Sequence, residues 1–467
     1  MCLANLFASA CLPELEKCAA SFVQQKSSAS FFTLELEVHK HLQAFGDQIV
    51  EACLREALGD AEFIAQCIQE YRAKGYRMQT RNKQTTVQLY GGRIATVPTV
   101  YMLPARKNAK RKGRGRHGRL GKGIYPVLKK LGIAHHASPA LQHETTLSAL
   151  NNPFAEATES LSRHGVAISE KRVRTLSERV GQRALEARAT ELEQFQAGLL
   201  PPGEAFAGQR VVIAMDGGRI CTRRPKKGRM KSGQKRQGFH AEWREPKLLT
   251  LYAIDEKGQK RKRDIRPYYD GTHGGRERFK LLLKMSLHKM GVVKAEHAIF
   301  IGDGAPWVWN IVEEIIKELG LKPEAVTQIL DYYHVCENFW KVLDALSGLT
   351  LKQKRRRYKK AKTQLLQGQI EILIERLGQR AKGQADALHA LRYFHGHEAR
   401  CRYDIFLRQN LPLGSGAVES AIRRVVNLRL KGAGMFWLEH NAEAFLHLRC
   451  QLKTGRWDHF FQCLISP

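Results

Sequence analysis

Two aspartates are placed to do chemistry. Asp216 closes the apolar run RVVIAM and Asp303 closes EHAIFIG, and a glycine follows each. An aspartate at a strand end is usually a turn residue, the reading that suits Asp255 in DEKG and Asp270 in YDGT. Two carboxylates that face one another instead repel unless divalent cations stand between them. Acids held around two cations are the arrangement for two-metal phosphoryl transfer. The adjacent glycines would let the backbone open to a large ligand. A third acid is needed to complete the cage, and two compete. Glu337 follows Asp303 with 33 residues between them, and Glu419 lies in GSGAVES. Each is expected near a helix N-terminus, where the dipole favours the ionised form. Neither Ser nor Cys stands in a nucleophile–base motif, so no covalent step is implied.

The elements that must position these acids follow from periodicity. RVVIAM, KLLTLYAI (247–254) and KRDIRPYY (262–269) read as three strands of an antiparallel meander, with CTRRPKKGRMKSGQKRQ (221–237) as a loop between the first two. GGRERFKLLLKMSLHKMG is an amphipathic helix and EHAIFIGDGA a fourth strand. A helix is expected from about Trp307 to Leu319, and AVTQILDYYH as a fifth strand. Three strands, helix, strand, helix, strand is the order of a ribonuclease-H-like fold. In that fold the first and fourth strands are neighbours, so Asp216 and Asp303 would converge. Beyond Val335 the chain reads as helical and basic for some 75 residues, then turns at LPLGSGA (411–417) into a last long helix.

Upstream, residues 32–76 read as two amphipathic helices broken near Gly59, and 79–103 as a hairpin around Gly91–Gly92. ARKNAKRKGRGRHGRLGKG follows, with nine basic residues between Arg106 and Lys122, five glycines and no acid. Such a segment cannot build a core and reads as an arm or linker. LNNPFAEATESLSRHGVAISEKRVRTLSERVG has the form of a helix-turn-helix, with Ser169 capping a second helix that carries Lys171, Arg172 and Arg174. The expected divisions are 1–105 for the N-terminal helices and hairpin, 106–123 for the arm and 124–200 for the helix-turn-helix. A catalytic domain over 208–335, an all-helical insertion over 336–412 and final helices over 413–467 complete the chain.

Composition narrows the function. With 77 Lys and Arg against 45 Asp and Glu, the 467 residues carry a formal charge of +32, concentrated in runs. Nucleic acid is the commonest partner for such an excess. The DNA-facing candidates are Arg106, Lys107, Arg111, Arg114 and Arg116 in the arm, and Lys171, Arg172 and Arg174 on the helix. Arg223, Arg224, Lys226 and Lys227 near Asp216 join them, as do Arg355, Arg356 and Arg357 in KQKRRRYKKAK. Hydrophobic content of 43% supports packed cores and excludes global disorder. The ten cysteines make neither a C-x-x-C pair nor a disulfide framework, which suits a reducing cytosol. The N-terminus lacks signal-peptide character, and no run is long and apolar enough for a membrane span.

AMDGGR (214–219), EWREPKL (242–248), IGDGAPWVWN (301–310), LDYYHVCENFW (330–340) and LGSGAVESAIRRVVNLRLKGAGMFW (413–437) together resemble a bacterial insertion-sequence DDE transposase. The likeness is closest to the ISKra group and more distant to Mutator-like and hAT transposases. It implies Asp216, Asp303 and Glu419 as the catalytic, metal-holding triad, with Glu337 the alternative. It also implies two Mg²⁺ per site, replaceable by Mn²⁺. A C/D-x-x-H motif maps onto Asp331 and His334, which would shape the site or touch DNA. Core packing is the alternative for His334 and for Trp307, Trp309, Trp340 and Trp437, otherwise candidates to stack on a flipped base. Relatives carry cysteine-rich, zinc-ribbon-like segments before the helix-turn-helix; the hairpin at 79–103 has no cysteine.

The activity implied is cleavage at the ends of a mobile element and strand transfer to target DNA. It would be carried out by a homodimer or larger synaptic assembly in a bacterial cytoplasm, at the nucleoid and away from membrane. A non-catalytic DNA-binding regulator of transposase descent and a ribonuclease-H-like nuclease are the competing readings.

Overall fold

A computed structural model describes residues 3–105, 123–226, 228, 237–261 and 263–466. Arg106, Lys107, Arg111, Arg114, Arg116 and Lys227 lie outside the described residues. The protein is mixed α/β and divides into two compact units, Met1–Val180 with Phe461–Pro467, and Gly181–Phe460.

In the first unit, α1 (Leu3–Ala10), α2 (Leu12–Gln25), α3 (Ser28–Gly59) and α4 (Ala61–Ala73) precede a hairpin of β1 (Tyr76–Gln88) and β2 (Ile94–Pro104). The break expected near Gly59 is set by Asp60, whose side chain accepts from Phe63 N at 3.0 Å and so caps α4. The hairpin turn is held by Asp47, whose carboxylate accepts from Gly91 N at 3.0 Å and Arg93 N at 2.9 Å. Alternate strand residues Val87, Leu89, Ala95 and Val97 pack on Leu54 and Leu58 of α3 in a small core. Helices α5 (Pro126–Lys130), α6 (Pro139–Asn151), α7 (Phe154–Arg163) and α8 (Glu170–Gln196) follow. Helix α8 starts after Ser169, whose hydroxyl accepts from Arg172 N at 3.3 Å. The two helices within 3–25 fall in the N-terminal helical region expected over 1–105, although periodicity placed individual helices only over 32–76.

The second unit is built on β3 (Arg210–Gly217), β6 (Lys247–Ile254), β7 (Tyr268–Thr272), β8 (His297–Gly302) and β9 (Val326–Leu330), in the order β7-β6-β3-β8-β9. β6 and β7 run antiparallel in succession, while β8 and β9 run parallel to β3. Helices α9 (Arg276–Lys289) and α10 (Pro306–Glu318) connect the parallel strands. β3 is buried along Val211–Met215, which explains a continuous apolar run in place of alternation.

Three expectations need correction. The third strand begins at Tyr268 and not at residue 262: Arg261 is tied to Asp264 at 3.2 Å, and Pro267 precedes the pairing of Tyr268 with Leu251. Asp270 therefore lies inside β7, buried, and is not a turn residue. The segment 221–237 is not wholly a loop, because β4 (Ile220–Pro225) pairs with β5 (Phe239–Arg244) as a separate hairpin.

After β9 come α11 (Tyr332–Ala345), α12 (Leu351–Leu366), α13 (Ile370–Ala381), α14 (Ala385–Leu391) and α15 (Tyr403–Arg408). Their inner residues Phe339, Leu365, Leu377, Phe394 and Tyr403 share one core with the sheet. Helix α16 (Gly416–Ile422) continues through a π turn at Arg423–Asn427 into α17 (Leu428–Leu430). It is not the last helix: α18 (Glu439–Lys453) and α19 (Trp457–Ile465) follow. α18 is buried on all sides from Asn441 to Cys450.

Candidate active site at the carboxyl edge of the sheet

Strand register gathers the acids. β3 pairs with β8 at Ala214–Ile301, and β8 with β9 at Gly302–Leu330. Stepping forward puts Asp216, Asp303 and Asp331 in one row across the carboxyl ends of three neighbouring parallel strands, about 4.8 Å apart from strand to strand. Glu419 joins this row from α16. Asp216 feels the charges of Asp303, His334 and Glu419. Burial foremost, with the charges of Asp303 and Glu419, pushes its carboxyl up to about 6, against the Gly217 N–H bond and His334.

Asp331 forms the frame of the site. It is fully buried and caps α11: its Oδ1 accepts from Tyr333 N at 2.7 Å and His334 N at 3.0 Å, and its Oδ2 from Ser415 N. Tyr332 N also donates to Leu413 O at 2.9 Å, so the turn before α16 is pinned to the end of β9. Glu419 sits in the first turn of α16. Its Oε1 accepts from Ser415 Oγ at 3.2 Å and lies 3.8 Å from His334 Nε2. Glu337 is not near a helix start, contrary to expectation. It lies beyond the first turn of α11, 65% exposed, with its carboxylate 3.4 Å from His334 Nδ1.

Asp331, His334 and Glu419 each offer one ligand atom, and these atoms fall within 4.8 Å of one another. Asp216 and Asp303 stand outside that tight group. Both Asp331 oxygens are taken by backbone N–H groups, so Asp331 suits a frame better than a ligand. The other acids have donor capacity to spare. Asp216 Oδ1 accepts from Gly217 N at 2.6 Å, Asp303 Oδ1 from Ala305 N at 3.0 Å, and Glu419 Oε1 from Ser415. The second oxygen of each makes no hydrogen bond among the described residues. Carboxylate oxygens are the ligand type that hard divalent cations such as Mg²⁺ or Mn²⁺ take, but among the described residues the set that closes to within 4.8 Å is Asp331, His334 and Glu419 and not these three acids.

The glycines beside the aspartates do not open the backbone. A Cβ at Gly217 would lie 2.1 Å from Glu245 Oε1, and one at Gly304 2.2 Å from the Tyr393 ring. At Gly304 the Tyr393 ring fills the space, whereas at Gly217 the obstacle is the flexible end of the exposed Glu245 side chain. Glu245 and Tyr393 are thus neighbours of the site that the acid spacing does not reveal. Glu245 is at least within EWREPKL, whereas Tyr393, in the helical stretch, carries no local signal. Trp309 is buried and donates to Asp303 O at 2.7 Å, Trp437 is buried, and Trp340 packs edge-on against Tyr358. Packing is the role the structure gives these three.

The other basic candidates are dispersed. Lys171 and Arg174 are exposed on α8, Arg174 bonding Glu170 at 2.7 Å, while Arg172 is half-buried. On the β4–β5 hairpin, Lys226 is exposed, Arg223 half-buried, and Arg224 bonds Glu439 at 2.9 Å. The hairpin is itself fixed by Arg223 N to Trp437 O at 2.8 Å and Trp437 N to Cys221 O at 3.0 Å. Arg355 and Arg356 project from α12. Comparison with known proteins returns no family model, no curated protein and no solved structure that matches this chain.

Proposed function

We propose that the chain is a DNA transposase of an insertion sequence, cutting element ends and joining them to target DNA through Asp216, Asp303 and Glu419. The observation that carries this reading is the acidic row at the carboxyl edge, completed by a glutamate that arrives after some 80 intervening residues. The strand order, third-second-first-fourth-fifth with the second antiparallel, is that of a ribonuclease-H-like domain, and α11–α15 would be its all-helical insertion. Asp216, Asp303 and Glu419 would hold two Mg²⁺, or Mn²⁺, through their spare oxygens. Such cations supply an activated water and neutralise charge on the scissile phosphodiester. Ser415 and His334 orient Glu419, and Asp331 fixes the turn that carries Ser415. Arg223 and Lys226 would neutralise flanking phosphates, and Lys171, Arg172 and Arg174 would read or grip the element end. Synapsis of two ends requires at least a homodimer at the bacterial nucleoid. No described helix is long and apolar enough to cross a membrane.

The test is cleavage of a labelled duplex carrying the element end, with Mg²⁺ or Mn²⁺. Asp216→Asn, Asp303→Asn and Glu419→Gln are each expected to slow cutting by ~10³-fold or more, since each weakens a cation worth several kcal/mol. Glu337→Gln should cut normally. Wild-type protein that binds the end yet cuts with neither metal sinks the proposal in favour of a regulator, and cutting without joining leaves a nuclease.

A further inference from the structure

A second site of different chemistry lies between α11, α12 and α13. It is a cleft of about 490 Å³, the scale of a small-molecule site and too small for a duplex. Its floor is apolar, formed by Phe339, Leu343, Leu373 and Leu377, all buried. Its rim carries Arg357, Lys360, Arg376 and Arg380, and no acid lines it. None of these four cations makes an ion pair within 4 Å among the described residues; the nearby Glu375 is bonded to Gln379 instead. The Nε of Arg357 is buried and has no hydrogen-bond partner. A guanidinium N–H withdrawn from water and left unbonded is costly, and a bound acceptor relieves that cost.

We infer that this cleft binds a single nucleotide, its base against the apolar floor and its phosphate on the arginine rim. A bare anion would make no use of the apolar floor, and a neutral aromatic would leave four cations unanswered. A nucleotide satisfies both, because its base is a flat apolar body and its phosphate presents oxygens to the guanidinium fork. Two sources supply such a nucleotide, an unpaired DNA strand or free solution, and only the first depends on the function proposed above.

The experiment is isothermal titration calorimetry on the full-length protein with dAMP, deoxyadenosine and inorganic phosphate. dAMP is expected to bind at least tenfold more tightly than either fragment. Arg357→Gln, and the double variant Arg376→Gln/Arg380→Gln, should each weaken dAMP by about tenfold, the effect of losing a charged hydrogen bond. Arg355→Gln/Arg356→Gln removes as much charge from the outer face of α12 and should change it less than twofold. Phosphate binding as tightly as dAMP overturns the inference, and so does equal weakening by the inner and outer pairs. An oligonucleotide with an unpaired end that displaces dAMP assigns the site to a DNA strand; failure to displace it assigns the site to free nucleotide, and the cleft stands in both cases. dAMP binding that persists in a protein unable to cut DNA keeps the cleft and removes the transposase reading. Cutting without dAMP binding does the reverse.

Discussion

At the scale of the residue, Asp216 is the group whose charge state matters most. Its folded pKa of about 6 stands above the ordinary 3.8, a displacement equivalent to roughly 3 kcal/mol. The sign follows from the direction. A raised carboxyl contributes its full stability below the ordinary range and loses it as the pH rises through about 6. In EDTA at pH 7.5, Asp216→Asn should therefore melt several degrees above wild type, a gap that closes towards pH 4. Added Mg²⁺ should stabilise wild type more than the variant. Equal melting at both pH values, with no separate response to metal, would show that burial and the neighbouring acids do not raise the Asp216 carboxyl. Asp216 and Asp303 stood out in the sequence because each closes an apolar run before a glycine, whereas spacing left Glu419 and Glu337 open and the family resemblance alone favoured Glu419. Glu245 and Tyr393 were not, because only the fold brings them to the glycines they fill.

At the scale of the element, the turn from Leu413 to Glu419 depends on Asp331. Asp331→Ala leaves three backbone N–H groups without their acceptor and removes the cap of α11, a loss of about 2–4 kcal/mol. It should lower the melting temperature, read by calorimetry, and abolish cleavage together. Ser415→Ala removes one hydroxyl bond to Glu419, about 1 kcal/mol, and should slow cleavage with little change in melting. If both variants melt as wild type does, the turn is not held by this carboxylate. The main strands could be read because each is a short apolar run between turns. The β4–β5 hairpin could not, since its basic residues look like a solvated loop until Cys221 and Arg223 bond to Trp437. The third strand was read about six residues early, because KRDIRP has strand-compatible residues but turns there, Ile265 N donating to Arg261 O at 3.0 Å before pairing begins at Tyr268.

For the whole molecule, the excess of 77 basic over 45 acidic residues governs association more than folding. If six to ten phosphates are engaged, affinity for duplex DNA should fall by ~10³-fold or more between 50 and 200 mM salt, with a linear log–log slope measured by anisotropy. Affinity indifferent to salt would mean that the charge serves only solubility. The contact between Asp331 and Ser415 has a further consequence, for how such a chain can change over generations. It closes the base of an excursion of more than 80 residues, so lengthening that excursion is cheap: growth from about 10 to about 80 residues adds only ~2 kcal/mol of closure entropy. Its inner surface, with Phe339, Phe394 and Tyr403, is continuous with the sheet core and has little freedom to vary. Its outer surface bears no such restriction. New ligand preferences can therefore be acquired there by mutation while the acids keep their places.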